Sequence, residues 1–122
     1  MPVHNTVVKT LYSSQAITST PSASVAVSVR GYSEGVILVR STAIGGTSPG
    51  VDLDVEVSDD EVAAQWYKEG DISTFTPAVA ATNHTAHKVT NMGQWLRINN
   101  PGGINGSSTP TLTIVAVIVL KT

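Results

Sequence analysis

The sequence predicts an all-β protein: an antiparallel β-sandwich, jelly-roll-like, with a pseudo-twofold hairpin repeat. Three observations predict it. Apolar residues alternate with polar ones in several short runs, the period of a half-buried strand. The 41 % of hydrophobic residues are mainly aliphatic, only 5 % of the chain is aromatic, and side chains branched at Cβ suit a pleated surface. Finally, one pattern occurs twice: IGGTSPGVDLDVEV near the middle and PGGINGSSTPTLTIVAV near the other end. In each, glycines and a proline corner lead into an alternating run, as turns between strands do.

At 122 residues the chain supports one core. Residues 1–20 read as an N-terminal arm and first strand, alternating weakly around Val7, Leu11 and Ile17. Residues 21–122 read as a single sandwich domain. SASVAVSVR places Val25, Val27 and Val29 on one face of a strand. GYSEG is a turn with glycine at each end. VILVR is the return strand, and its unbroken apolar character predicts cover on both sides. After the first corner, Val51, Leu53, Val55 and Val57 oppose Asp52, Asp54, Glu56 and Ser58. Residues 59–64 suit a turn or one helical turn, followed by a strand through residues 65–68. Short strands or loop are expected over residues 72–82 and 84–90, then a turn at Asn91-Met92-Gly93 and the strand QWLRIN. The last strand, TLTIVAVIVLK, is the clearest. Leu112, Ile114, Ala116, Ile118 and Leu120 fill the core, which leaves Val115, Val117 and Val119 on the other face. Such a stripe asks for a cover: the N-terminal arm, another sheet, or a second copy. As a true repeat, VILVR–VDLDVEV and WLRIN–LTIVAVIV are two hairpin-like units facing each other across the core; the alternative is convergence, since Gly-Gly and Ser/Thr-Pro are ordinary turn material.

The residues that carry chemistry give little. Cysteine is absent, which excludes disulfides, thiolate metal sites and cysteine nucleophiles. A formal net charge of −2 gives no footprint for nucleic acid. The longest apolar run, residues 114–120, is far short of the roughly 20 a membrane helix needs, and MPVHNTVVKT does not read as a secretory leader. His84 and His87 lie three apart, so on a strand their rings diverge and a metal pair fails. Apart from Glu34, every acidic residue lies between Asp52 and Asp71. Asp52, Asp54 and Glu56 share a strand face, with Asp59, Asp60 and Glu61 close behind. This stripe reads as a solvated, aggregation-resistant face, with cation binding or a charged interface as the alternative. No serine has a nucleophile-elbow setting, and the glycine-rich segments lead into strands rather than helices, as a phosphate loop would not. The expectation is therefore a protein that is not an enzyme and takes no cofactor. Trp66-Tyr67 and Trp95 read as core or rim packing, with a sugar-stacking platform as the alternative. With Leu96 and Ile98 inward, Trp95 and Arg97 sit outside together, where guanidinium can stack on indole and serve an interface.

The order of these features resembles a family. Gly46-Thr47-Ser48-Pro49 precedes an alternating strand, Trp66 follows an acidic turn, and Phe75-Thr76 sits in a strand. Trp95-Leu96-Arg97-Ile98 forms another strand, and a second glycine-rich corner runs from Gly102 to Pro110. Over residues 36–120 the chain resembles small β-sandwich structural proteins of tailed double-stranded-DNA phages, head decoration (cement) proteins in particular. The second corner departs from the pattern by inserting Ile104-Asn105-Gly106-Ser107. The resemblance implies a virion component on the capsid surface, present in the host cytoplasm during assembly. Its partner would be the major capsid protein, and it would be a homo-oligomer, a trimer by preference, with no nucleic-acid or membrane partner. Contacts are expected from Val7, Val8 and Leu11 of the arm, from the Val115, Val117 and Val119 face, and from Trp95 and Arg97. The competing expectation is a carbohydrate- or receptor-binding module of a phage tail or fibre.

Overall fold

The computed structural model describes residues 6–59, 65–75 and 84–122. They form eight strands and no helix: β1 (Thr6–Ile17), β2 (Ser22–Ala23), β3 (Val27–Ser28), β4 (Glu34–Ser58), β5 (Tyr67–Phe75), β6 (His84–Val89), β7 (Trp95–Asn100) and β8 (Asn105–Lys121). Every pairing is antiparallel. A front layer runs β1-β8-β4-β6 and a back layer runs from β2 and β3 through β7 and β4 to β5. Because β4 belongs to both, the layers are one sheet curled over on itself, with a sandwich-like core between them.

Period two decides which side chains fill that core. On β8, Leu112, Ile114, Ala116, Ile118 and Leu120 are buried to 2 % exposure or less, as are Ile37 and Val39 of the front half of β4. Val51, Leu53 and Val55 from the back half of β4, with Leu96 and Ile98 of β7, meet them from the other layer. Each fully buried aliphatic side chain of this size contributes about 1.5–3 kcal/mol, so the interleaved ladder dominates stability.

The doubled pattern has a different meaning from the hairpin repeat anticipated. VILVR and VDLDVEV are not two strands of a hairpin: they are the front and back halves of β4, which runs unbroken for 25 residues. WLRIN and LTIVAVIV are β7 in the back layer and β8 in the front. Each unit is thus a crossing between layers, one from front to back and the other from back to front. The corners pair with each other, Gly45 with Thr111, Thr47 with Ser107 and Gly50 with Asn105, and the register shifts between these pairs. Gly46 (φ +78°) and Gly106 (φ +123°) are the contact points. A Cβ on Gly46 would lie 2.7 Å from Pro110 Cα, and one on Gly106 would lie 2.8 Å from the Thr47 carbonyl oxygen. Only glycine lets the two bends approach this closely. Ser48, Ser108 and Thr109 also take positive φ, strain that persists because each corner braces the other.

Other expectations change for local reasons. SASVAVSVR is broken: Ala23 pairs with Asn99 but Val27 with Leu96, a one-residue slip. Ser24 Oγ accepts the Ile98 N–H at 2.9 Å. The intervening bulge turns Val25 outward, 63 % exposed, while Val29 is buried. VILVR is covered on one side only, with Leu38 42 % exposed. The strand expected at residues 65–68 begins at Tyr67 and runs to Phe75. The turn or helix considered for residues 59–64 and the strand end over residues 76–82 fall mostly outside the described residues.

Polar clasps close the gap between layers. Lys9 Nζ of β1 donates to the Ser28 carbonyl of β3 at 2.6 Å and lies 5.8 Å from the Tyr32 ring. Tyr12 O–H donates to the Ser22 carbonyl at 3.3 Å, and burial pushes its pKa up to about 12. Asn100, fully buried, accepts the Gly103 N–H on Oδ1 at 2.9 Å and so ties down the loop before β8.

Candidate interaction surface

The two outer faces differ in chemistry. Register builds the front one row by row. Val8 of β1, Val119 of β8, Val36 of β4 and Lys88 of β6 lie side by side; next come Thr10, Val117, Leu38 and Ala86; then Val115, Arg40 and His84. The outward valines of β8 are half-buried by their neighbours, while Val8 and Leu38 are 58 % and 42 % exposed. Leu38, Arg40, His84, Ala86, Val115 and Val117 surround a shallow open depression of about 460 Å³. This is an apolar strip bordered by basic side chains, His84 and Lys88 on β6 and Arg40 on β4 beside His84. Arg40, His84 and Lys88 are all exposed. β1 extends the layer edge-on by pairing with β8, so the described part of the N-terminal stretch does not fold over the valines.

The back face is acidic and internally paired. Asp52, Asp54 and Glu56 point outward from the back half of β4, as alternation predicts. Arg97 Nε meets Glu56 Oε1 at 2.7 Å. Lys68 Nζ lies 3.4 Å from Asp54 and 2.7 Å from Asp71. Asp54 and Asp71 are cross-strand partners and titrate together. Desolvation and the bond from Asp71 hold Asp54 above the ordinary carboxylate value, whereas Lys68 and the same bond hold Asp71 below it. Basic neighbours on both sides thus partly balance the stripe. Among the described residues no three His, Cys, Asp or Glu side chains gather as metal ligands would.

Arg97 does stack on an indole, but on that of Trp66, with the guanidinium carbon 4.4 Å from the ring centroid. Trp95 occupies the same outer face of β7 and pairs with Ser58 across the sheet. Tyr67, beside Trp66, is 60 % exposed. Trp66 and Trp95 therefore edge the acidic face, whereas Tyr67 pairs with Val57 on the other side of the sheet.

Sequence reasoning missed one group entirely. The register between β4 and β5 slips after Val55, which pairs with Gly70 while Glu56 pairs with Lys68. Glu69 is the extra residue, and the bulge turns its side chain inward, leaving it 2 % exposed. Its Oε1 accepts from Thr90 Oγ1 at 3.1 Å, and its Oε2 lies 3.4 Å from His87 Nε2. Gly70 makes room, since a Cβ there would sit 3.1 Å from the imidazole. His84 and His87 do diverge, His84 outward beside Arg40 and His87 inward beside Ile37. His87 is thereby part of a seam between layers.

Of the residues expected at an interface, Val8, Val115, Val117 and Val119 share the front face, and Trp95 and Arg97 share the back. Val7 turns inward opposite Leu120 and packs on the core. Leu11 lies on the same inward side of β1 as Val7 and is 3 % exposed within the core, so it offers no surface. The chain matches no protein-family model, and no curated protein is similar to it.

Proposed function

We propose that this chain is a virion structural protein, a head decoration protein that reinforces a phage capsid through protein–protein contacts and not by catalysis. The reading draws on the resemblance over residues 36–120. The observation that carries it is the apolar strip on the front face, bordered by exposed Arg40, His84 and Lys88, on a sandwich braced by interlocked corners. A soluble domain seldom leaves such a strip uncovered without a use for it. In this reading the strip meets the major capsid protein, the chain works as a homotrimer on the capsid surface, and binding only the expanded shell stabilises that shell by mass action.

The test is cosedimentation of purified protein with expanded, undecorated shells of the virus that encodes it. Saturable binding that raises the temperature of shell rupture is expected. Absence of binding by the wild-type chain overturns the reading. A second reading, a glycan- or receptor-binding module of a tail or fibre, is favoured by Trp66 and Trp95 on the back face. Specific glycan capture that is lost in Trp66→Ala or Trp95→Ala, without shell binding, selects it.

A further inference from the structure

We infer that the front face is a docking groove for a short acidic-and-apolar segment of a partner polypeptide, its apolar side chains in the depression between Leu38, Ala86, Val115 and Val117 and its carboxylates on Arg40, His84 and Lys88. The inference rests on the decoration reading only for who supplies the segment, namely the shell.

Size selects a segment over a second folded copy. The strip spans three strands at about 4.8 Å spacing and five residues at about 3.3 Å rise, a footprint of roughly 240 Å². A stable interface of standard size takes about 800 Å² from each partner. An extended segment of five or six residues matches the strip in length, and its alternate side chains would face the sheet.

Charge selects an acidic one. Among the described residues, the acidic groups are concentrated on the back layer and in the interior seam, while Glu34 alone borders the front face, next to Lys121. The cations differ in the same way. Lys68 and Arg97 on the back are engaged with Asp54, Asp71 and Glu56. Arg40 and Lys88 on the front stand beside Val115 and Val36 across the register, with no carboxylate in their rows. A partner with carboxylates at alternate positions would complete them, and a basic segment would be repelled.

The experiment selects a displayed library of random dodecapeptides on the wild-type protein, with counter-selection against Val117→Lys. Both Val117→Lys and Arg40→Glu lie on the outer face, so circular dichroism melts should match wild type. Enriched peptides should alternate apolar with acidic residues. By fluorescence anisotropy they should bind wild type at least about tenfold tighter than either variant, and weaken with salt. The inference is overturned if nothing is enriched, if the enriched peptides are neutral or basic, or if they bind the variants equally. It is also overturned if sedimentation shows a wild-type dimer that Val117→Lys dissociates, since the occupant would then be a second copy. Shell binding that survives Val117→Lys refutes the groove and leaves the decoration reading intact.

Discussion

The interlocked corners permit a graded test with three glycine-to-alanine substitutions. Gly102→Ala meets nothing within 4 Å and its φ is not positive, so alanine only restricts the unfolded chain. It should be neutral or stabilise by about 0.4–1 kcal/mol. Gly31→Ala meets nothing within 4 Å either, but its φ is +82°. It isolates the left-handed penalty of about 1–2 kcal/mol. Gly46→Ala combines a φ of +78° with a Cβ 2.7 Å from Pro110 Cα and 2.9 Å from the Thr109 carbonyl oxygen. These are backbone atoms of the partner corner and cannot rotate away. Shifting them adds about 1–3 kcal/mol, as overpacking does, for a total of about 2–5 kcal/mol. In a domain of this size each kcal/mol moves Tm by about 4 °C, so Gly46→Ala should melt roughly 8–20 °C below wild type. Urea unfolding at fixed pH gives the free energies, with thermal melts as the check. If Gly46→Ala costs no more than Gly31→Ala, the corners do not brace each other, and the account of the doubled pattern is wrong.

Three further outcomes follow from the polar groups. Glu69→Ala removes the acceptor shared by Thr90 and His87 and should cost about 1–3 kcal/mol in urea unfolding, with Glu69→Gln recovering part of it; a loss below about 0.5 kcal/mol would show the seam to be idle. Tyr12, with its pKa pushed up to about 12 by burial, should ionise above the ordinary tyrosine value in an ultraviolet pH titration, in a step that Tyr12→Phe removes. Its acid form is the one the fold prefers, so its contribution is complete below the ordinary tyrosine range and declines as pH climbs from about 10 towards 12; Tyr12→Phe should flatten that decline. In Asp71→Asn, the Asp54 carboxyl loses the bond and the charge of Asp71 while desolvation and Lys68 remain, so its titration followed by carbon NMR should move down towards the ordinary value. An unmoved Asp54 would mean that the two carboxyls do not share a bond.

What could be read from the sequence was local. Leu112, Ile114, Ala116, Ile118 and Leu120 were assignable as one inward row because alternation along a strand needs no partner to be seen. The divergence of His84 from His87 followed from the same geometry. The corners misled because Gly-Gly and Ser/Thr-Pro mark any sharp change in direction, and a crossing between layers uses the same residues as a reversal. Nothing within residues 45–50 reveals that their partner lies at residues 105–111. Bulges were equally silent. One extra residue turns Val25 out, Tyr12 in and Glu69 towards His87, and each flip reverses what strict alternation implies. The partner of Arg97 also lay beyond local reading, because Trp66 reaches it from a different strand connection while Trp95 is its neighbour on β7.

β4 and β8 carry a consequence for how the molecule is made. The strand seated between β1 and β4 is the eighth in chain order, so both neighbours must wait for it. During synthesis the front half of β4 has its β6 side satisfied early and its other edge bare until β8 leaves the ribosome. Pairings this distant in sequence close slowly, and an unsatisfied apolar edge invites association meanwhile. Folding here is complete only after β8 has emerged, and chaperone demand should fall on the interval before β8 docks.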